Sequence, residues 1–316
     1  MSDLKPISLE GMKSHPLRER TSKVKIEDFA RPWEPGSGLG PWLENLPRIL
    51  AGNDFRKVVE NIVRAVKSEK VVLLGMGAHA IKVGLNPVII DLLERRVVTA
   101  LAMNGAGIIH DSELAMVGHT SEDVSVRLGE GKFGMTDEPA RFLNQAIIEG
   151  ADRGLGLGEA IGSRLVEENF PYNHVSILAT AYKLHIPVSV HVAIGTDTIH
   201  AHPSVDGAAI GKTSHHDFRL FAALVSRLEE GVFINLGSAV IIPEVFLKAL
   251  TLVRNLGHEV KRMTTVNMDF LKQYRPLTNV VHRPTLEGGE GYFLVGHHEI
   301  MFPLLAAAVM EGLAGC

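Results

Sequence analysis

The chain has 316 residues, 46% of them hydrophobic and 22% charged, with a formal net charge of −4. That is apolar material for one large or two small cores, and the weak negative balance, with no basic stripe or aromatic stacking run, argues against nucleic acid as a partner. No run of about 18 apolar residues occurs. The N-terminus is polar rather than a signal peptide, and the only cysteine is Cys316, so the expectation is a cytoplasmic protein without a membrane span or internal disulfide.

Residues 1–50 carry Pro16, Pro32, Pro35, Pro41 and Pro47, several charges and both tryptophans. They are expected to form an extended arm, anchored by Trp33 and Trp42 on the body or on a neighbouring subunit, because aromatic burial offers most to a segment with little core. Residues 51–316 alternate strand and helix patterns and form the expected dinucleotide-binding domain. Phe55, Val58, Val59, Ile62 and Val66 share one face of a helix over 53–67. The apolar strand Val71–Leu74 leads into a glycine turn, a helix that Pro87 breaks or kinks, and a second strand. That strand ends in the small-residue turn Asn104-Gly105-Ala106-Gly107, with His110, Asp111 and Glu113 just beyond it.

Residues 118–135, rich in glycine and charge, suit a mobile loop over a site. Helices are expected over 137–149, 157–168 and 176–184, then a central β-branched strand over 188–194 and a helix over 217–229. A strand over 232–236 and a helix over 243–255, opened by Pro243, come next. Strands over 260–267 and 291–295 and a helix over 299–313 complete the pattern. Alternation over this length implies an α/β fold: a doubly wound, mostly parallel sheet with helices on both faces.

The string Gly75-Met76-Gly77-Ala78-His79-Ala80 fits the G-x-G-x-x-G/A pattern of dinucleotide-binding turns. Gly75 would permit the tight turn, Gly77 would let the backbone approach a pyrophosphate at a helix start, and Ala80 would let helix pack on strand. Asn104 stands where an acidic ribose ligand is usual. The competing reading is a glycine turn that only packs strand against helix.

Several strings, in order, resemble the deoxyhypusine synthase family. Leu73–Gly107 resembles that family's glycine-containing first turn and its "TAGG" second turn, and His185-Ile186-Pro187-Val188 resembles its "HIPVF" strand. Leu236-Gly237-Ser238-Ala239-Val240-Ile241 resembles its "LGGGVV" turn, and Phe302-Pro303-Leu304-Leu305 its "FPLL" helix start. The resemblance spans about Val71 to Ala308 and implies a doubly wound parallel sheet, NAD as cofactor and a homotetramer. Three departures bear on activity. Where the family has its nucleophilic lysine this chain has Ile242, which cannot form an imine. The "GSDSGARP" segment that contacts the amine substrate is Leu277–Pro284 here, with Asn279 for the acidic member and only Arg283-Pro284 kept. The "ADAS" turn is Gly296-His297-His298-Glu299. Authentic deoxyhypusine synthesis is therefore not expected. Asn104-Gly105 followed by His110-Asp111-Ser112-Glu113 is also similar to an "N-x(3–4)-HD-x-E" signature of archaeal-type ornithine cyclodeaminases, which implies an NAD-dependent lyase as an alternative.

The 15 histidines gather where strands should end. His191, Asp197, His200 and His202 follow one strand, His215, His216 and Asp217 open a helix, and His297 and His298 follow the last strand. If those ends converge on one rim, His191, His200, His202, His297 and His298 are metal candidates for a hydrolase or lyase; the alternative is that they cap helices or contact a ligand. His110 and Asp111, with Glu113, are the acid/base candidates, since histidine titrates near neutrality. Their competing role is to cap the next helix, Asp111 as N-cap and Glu113 in the first turn. Gly211-Lys212-Thr213 resembles a phosphate-loop fragment, but Gly207 stands four residues before Gly211 where that pattern needs five.

The expectation is thus an NAD-dependent transferase, lyase or oxidoreductase acting on a small amine or amino-acid-like substrate. The cofactor would rest on Gly75, Gly77, Ala78, Asn104, Gly105, Gly107, Asp197, Gly237 and Ser238, with His110, Asp111 and Glu113 catalytic. A non-catalytic nucleotide-binding oligomer is the remaining alternative.

Overall fold

The computed structural model describes residues 4–315; Cys316 lies outside them. Its centre is a six-stranded sheet in the order β3-β2-β1-β4-β5-β6, every neighbouring pair parallel. The strands are β1 (Val72–Met76), β2 (Ala100–Asn104), β3 (Val188–His191), β4 (Val232–Leu236), β5 (Thr264–Asp269) and β6 (Glu290–Val295). This is the doubly wound fold, and its strand order is that of dinucleotide-binding domains, with the reversal of winding between β1 and β4. Strands β1 to β5 are buried almost throughout, as expected of a parallel sheet covered on both faces.

Alternate side chains point to opposite faces. Val72, Leu74 and Met76 join one core with Leu101, Val190, Ile234 and Val266, while Leu73 and Phe233 join the other. The first core is closed by helices α2 (Leu50–Lys67), α4 (Asn86–Glu94), α5 (Gly105–Val117), α7 (Asp137–Arg153), α8 (Leu157–Glu168), α9 (Ile177–Lys183) and α13 (His298–Ala314). The second is closed by α10 (Gly207–Val225) and α11 (Ile241–Asn255), where Phe246 stacks on Phe233 at 3.9 Å between centroids.

Several boundaries differ from those expected. Gly75 is inside β1, and the helix after it is a single turn, α3 (His79–Lys82), ended by Gly84 at φ +79°. Pro87 then opens α4 near its first residue, so proline begins a new helix where a break in one was expected. Helix α5 starts directly at Gly105, capped by the Asn104 side chain, which accepts from Gly107 N at 3.2 Å. His110, Asp111 and Glu113 therefore lie along this helix, not at the start of a later one. Helix α10 starts at Gly207, ten residues before the expected 217, because Asp206 accepts from the N–H groups of Ala208 and Ala209. Lys212, His215, His216 and Asp217 are thus helical, and no phosphate loop exists there. Within 118–135 a short helix, α6 (Val124–Leu128), forms.

In the arm, α1 (Leu39–Asn45) packs on α13, and the Arg56 guanidinium holds the carbonyls of Leu43 and Pro47. Trp42 is half-buried, whereas Trp33 is 51% exposed. No described helix is long and apolar enough to cross a membrane.

Candidate active site at the carboxyl edge of the sheet

Ligands of open parallel sheets bind beyond the carboxyl ends of the strands. There, α3, α5, the 118–136 segment, the start of α7 and the 196–199 turn enclose a cavity of about 200 Å³. His110, Glu113, Glu122, Asp197 and Lys82 supply its charged lining. The segment expected to cover a site does so, through Ser121, Glu122, Phe133 and Gly134.

His110 and Glu113 are one turn apart on α5, so they share a face. Between them sits Thr120. Its hydroxyl donates to the Glu113 carboxylate, which only accepts, and lies 2.6 Å from His110 Nδ1. The single hydroxyl proton is therefore committed, and His110 Nδ1–H must be the donor to Thr120. Nε2 is left as the nitrogen with a free lone pair. When His110 takes up a proton, Glu113 stands 3.5 Å from Nδ1 to balance the charge. Burial pushes the Glu113 carboxyl up, but hydrogen bonds from His110 and Thr120 and the nearby imidazole outweigh it and hold the group below its usual range. A base oriented by a hydroxyl and a carboxylate follows the logic of catalytic triads.

Asp111 does something else. It is fully buried, and Asn86, Ser176 Oγ and the N–H groups of Ile177 and Leu178 all donate to it at 2.6–3.1 Å. The carboxylate caps α9 from across the fold, with no access to solvent or substrate; the expected proton-handling role is corrected accordingly. Asp217 is similar, accepting from Gly158 N and Val190 N at 2.9 and 2.8 Å. Burial pushes its carboxyl up to about 7 despite these bonds.

Asp197 is the contrasting case. Its side chain occupies the space that a Cβ on Gly105 would need, at the N-terminus of α5. Oδ2 is buried and has no hydrogen-bond partner, and burial pushes the carboxyl up to about 6. The opening N–H groups of α5, at Gly105 and Ala106, have no acceptor within the helix, and Ala106 lines the cavity. An orphaned carboxylate oxygen beside the first turn of a helix, where Ala106 faces the cavity, is a donor–acceptor set that a ribose hydroxyl and a phosphate would complete, so these residues fit a dinucleotide.

At the switch between β1 and β4 the glycines serve packing. A Cβ on Gly75 would lie 2.6 Å from Ile242 Cγ2, and one on Gly77 would lie 2.6 Å from the Gly237 carbonyl. Gly75 is therefore a core residue of β1, not the turn residue expected, and Gly77 meets protein backbone on the side where a pyrophosphate approach was expected. Gly237, at φ +64°, lies against the His298 ring. Ser238 Oγ accepts from Ile242 N at 3.2 Å. Ala78 is buried beside them. Ile242 is wholly buried, so its position could not present an amine. Asn279 donates to Glu244 Oε1 and accepts from Arg283 Nη1, both at 2.9 Å; the pair ties the π-helical turn Leu277–His282 to α11.

The histidines lie at opposite ends of the carboxyl rim and do not converge. Strands β3 and β6 are the two edges of the sheet, and five strand spacings separate edges by roughly 24 Å. His191, on β3, is buried against Ser189 Oγ and Phe221, and burial pushes its imidazole down to about 4. His200 accepts from Gly195 N at 3.1 Å, and His202 bridges Ser204 and Asp137. At the far edge, His298 is buried with Nε2 3.3 Å from the Met268 carbonyl, and His297 stacks on Phe270. Among the described residues no three His, Cys, Asp or Glu side chains are placed to share a metal ion.

Sequence reasoning missed Thr120, Lys82 and Glu122. The only signal for Thr120 was its place three residues past the α5 C-terminus, at the root of a loop already suspected of covering a site.

No protein-family model matches the chain, and no curated protein does. Solved structures do. A conserved protein of Methanococcus maripaludis S2 assigned as LOR/SDH superposes with a TM-score of 0.52 at 16% identity, over 95% of this chain and 76% of that one. The two share a fold. A protein of Entamoeba histolytica assigned as deoxyhypusine synthase gives 0.49 at 13% identity, over 88% of this chain and 95% of that one. AgrE, solved with ornithine and NAD+, gives 0.48 at 16% identity over 86% of this chain, which spans 34% of AgrE's length.

Proposed function

We propose that the chain is a nicotinamide-dinucleotide-dependent enzyme acting on a small amine or amino acid, with His110 as the base. The observation that carries the reading is the oriented His110–Thr120–Glu113 relay in a cavity bordered by Ala106 of the first turn of α5. Asp197 would accept from a ribose hydroxyl, and the N–H group of Ala106 would donate to the pyrophosphate; Gly105, Ala78, Gly237 and Ser238 border the same edge. Bound there, the cofactor supplies a two-electron hydride acceptor. The chain's own part is proton handling and charge. Glu113 and Glu122 favour a cationic substrate, His110 Nε2 takes the proton released from the substrate nitrogen, and Thr120 with Glu113 stabilises the imidazolium. A buried Ile242 argues for chemistry without a covalent lysine intermediate.

The test is NADH formation from amines and amino acids by the parent and by His110→Gln. The variant is expected to lose about 10²- to 10⁴-fold in kcat with its melting temperature held. Equal turnover in His110→Gln would remove the relay. The reading includes self-association as a homotetramer, supported by an arm that leaves Leu4, Ile7, Ile26 and Phe29 exposed on the single chain; sedimentation of the parent at a monomer's mass would contradict it.

A further inference from the structure

Behind the polar cavity lies a second one, of about 690 Å³. The two share a wall made of Glu113, Ser121, Glu122, Thr136 and Pro139. Their linings differ in kind. The first adds Lys82, His110 and Asp197 to the shared carboxylates. The second is walled by Met116, Val117 and Phe170, with Pro139 common to both. At about 200 Å³ the first cavity falls short of the roughly 300–1,000 Å³ of ordinary ligand pockets. It would hold a small polar head and little else. Both shared charges, Glu113 and Glu122, are carboxylates. Glu122 is fixed in place by accepting from Gly134 N at 2.6 Å, and Glu113 by the relay.

We propose that the two cavities are one substrate site, and that the substrate is a monoamine with an extended apolar tail. Its ammonium sits at the Glu113–Glu122 wall, within reach of His110, and its tail lies in the Met116–Val117–Phe170 chamber. This rests on the reading above for the chemistry, but not for the binding. The carboxylates at the junction attract one positive charge. Glu113 is the one half-buried carboxylate on the boundary of the second cavity and it stands at the head end, whereas Glu122, Glu138 and His119 are exposed, so a second charge at the tail end finds no sheltered partner. A long apolar monoamine is therefore favoured over a diamine of equal length. The chamber is more than three times the volume of the polar cavity, so tail length, not head chemistry, should dominate affinity.

The inference is tested by calorimetric titration of the full chain with methylamine, n-butylamine, n-hexylamine and 1,6-diaminohexane, with and without saturating NAD+. Affinity is expected to rise about fourfold per buried methylene, with hexylamine at least tenfold tighter than the diamine. Val117→Asp replaces a residue that is 51% exposed on the last turn of α5, so the fold is retained. It should remove most of the chain-length dependence and bring the diamine level with hexylamine. Affinity flat with length, a tighter diamine, no amine binding in either condition, or a Val117→Asp profile like the parent's would each overturn the inference. The NAD+ titration alone reads the cofactor, so loss of NAD+ binding with length-dependent amine binding would sink the function and leave this site standing.

Discussion

The carboxyl ends of β1 and β2 read almost alike in sequence, each a strand running into small residues, and they are put to different use. At β1, Gly75 and Gly77 are pressed against Ile242 and the Gly237 backbone, and the helix that follows is one turn long. At β2, Gly105 opens a helix of 13 residues, and the space at its Cα is filled by the Asp197 carboxylate, whose Oδ2 accepts no hydrogen bond and lies 3.9 Å from His200 Nε2. A glycine pattern thus records where the backbone tolerates no side chain. Whether protein or ligand fills that place depends on what the neighbouring strand delivers: β4 brings its own turn to Gly77, while the stretch after β3 brings Asp197 to Gly105.

Substitutions can break this contrast. Gly77→Ala places a methyl against main-chain atoms of Gly237 that cannot swing away, so a loss of about 3 kcal/mol is expected, read as a lower denaturation midpoint at unchanged m-value. Asp197→Asn tests the other side through pH. Burial raises the folded-state carboxyl to about 6, so the folded protein holds this proton more tightly than the unfolded chain does. The stabilisation is complete below the unfolded value near 4 and is lost as pH rises through about 6. Asparagine does not titrate. The variant should therefore gain on the parent by about 3 kcal/mol from about pH 4 to about pH 6.5 and hold that gain above. A difference constant across the interval would mean that Asp197 is hydrogen-bonded or solvated. Gly105→Ala should cost least, about 1 kcal/mol, because a side chain, not main chain, must move. Its larger consequence is displacement of Asp197 and weaker dinucleotide binding.

Much of the fold was legible because the strands are apolar and bounded by glycine, and because parallel sheets need helices between strands. The start of α10 was missed since Gly207-Ala208-Ala209 carries no amphipathic period, although Asp206 marks it as an N-cap. The site was legible in part. His110 and Glu113 are three apart and helical, so their shared face follows from spacing alone. That Asp111, next to His110, points into the fold follows from spacing too, but its partners do not: Ser176 is 65 residues away, and its role as the α9 cap exists only after folding. The histidine rim failed for a topological reason, since local sequence does not state that β3 and β6 are opposite edges.

The most direct test places a charge where the cofactor's phosphate is argued to sit. Ala106→Asp adds a carboxylate at the second residue of α5, a position where acidic residues favour a helix by about 0.5 kcal/mol, so stability should hold or rise. Calorimetric titration with NAD+ should give saturable binding to the parent and at least a tenfold loss in Ala106→Asp. No binding to the parent, or equal affinity in the two proteins, would contradict a dinucleotide at the carboxyl edge of β2.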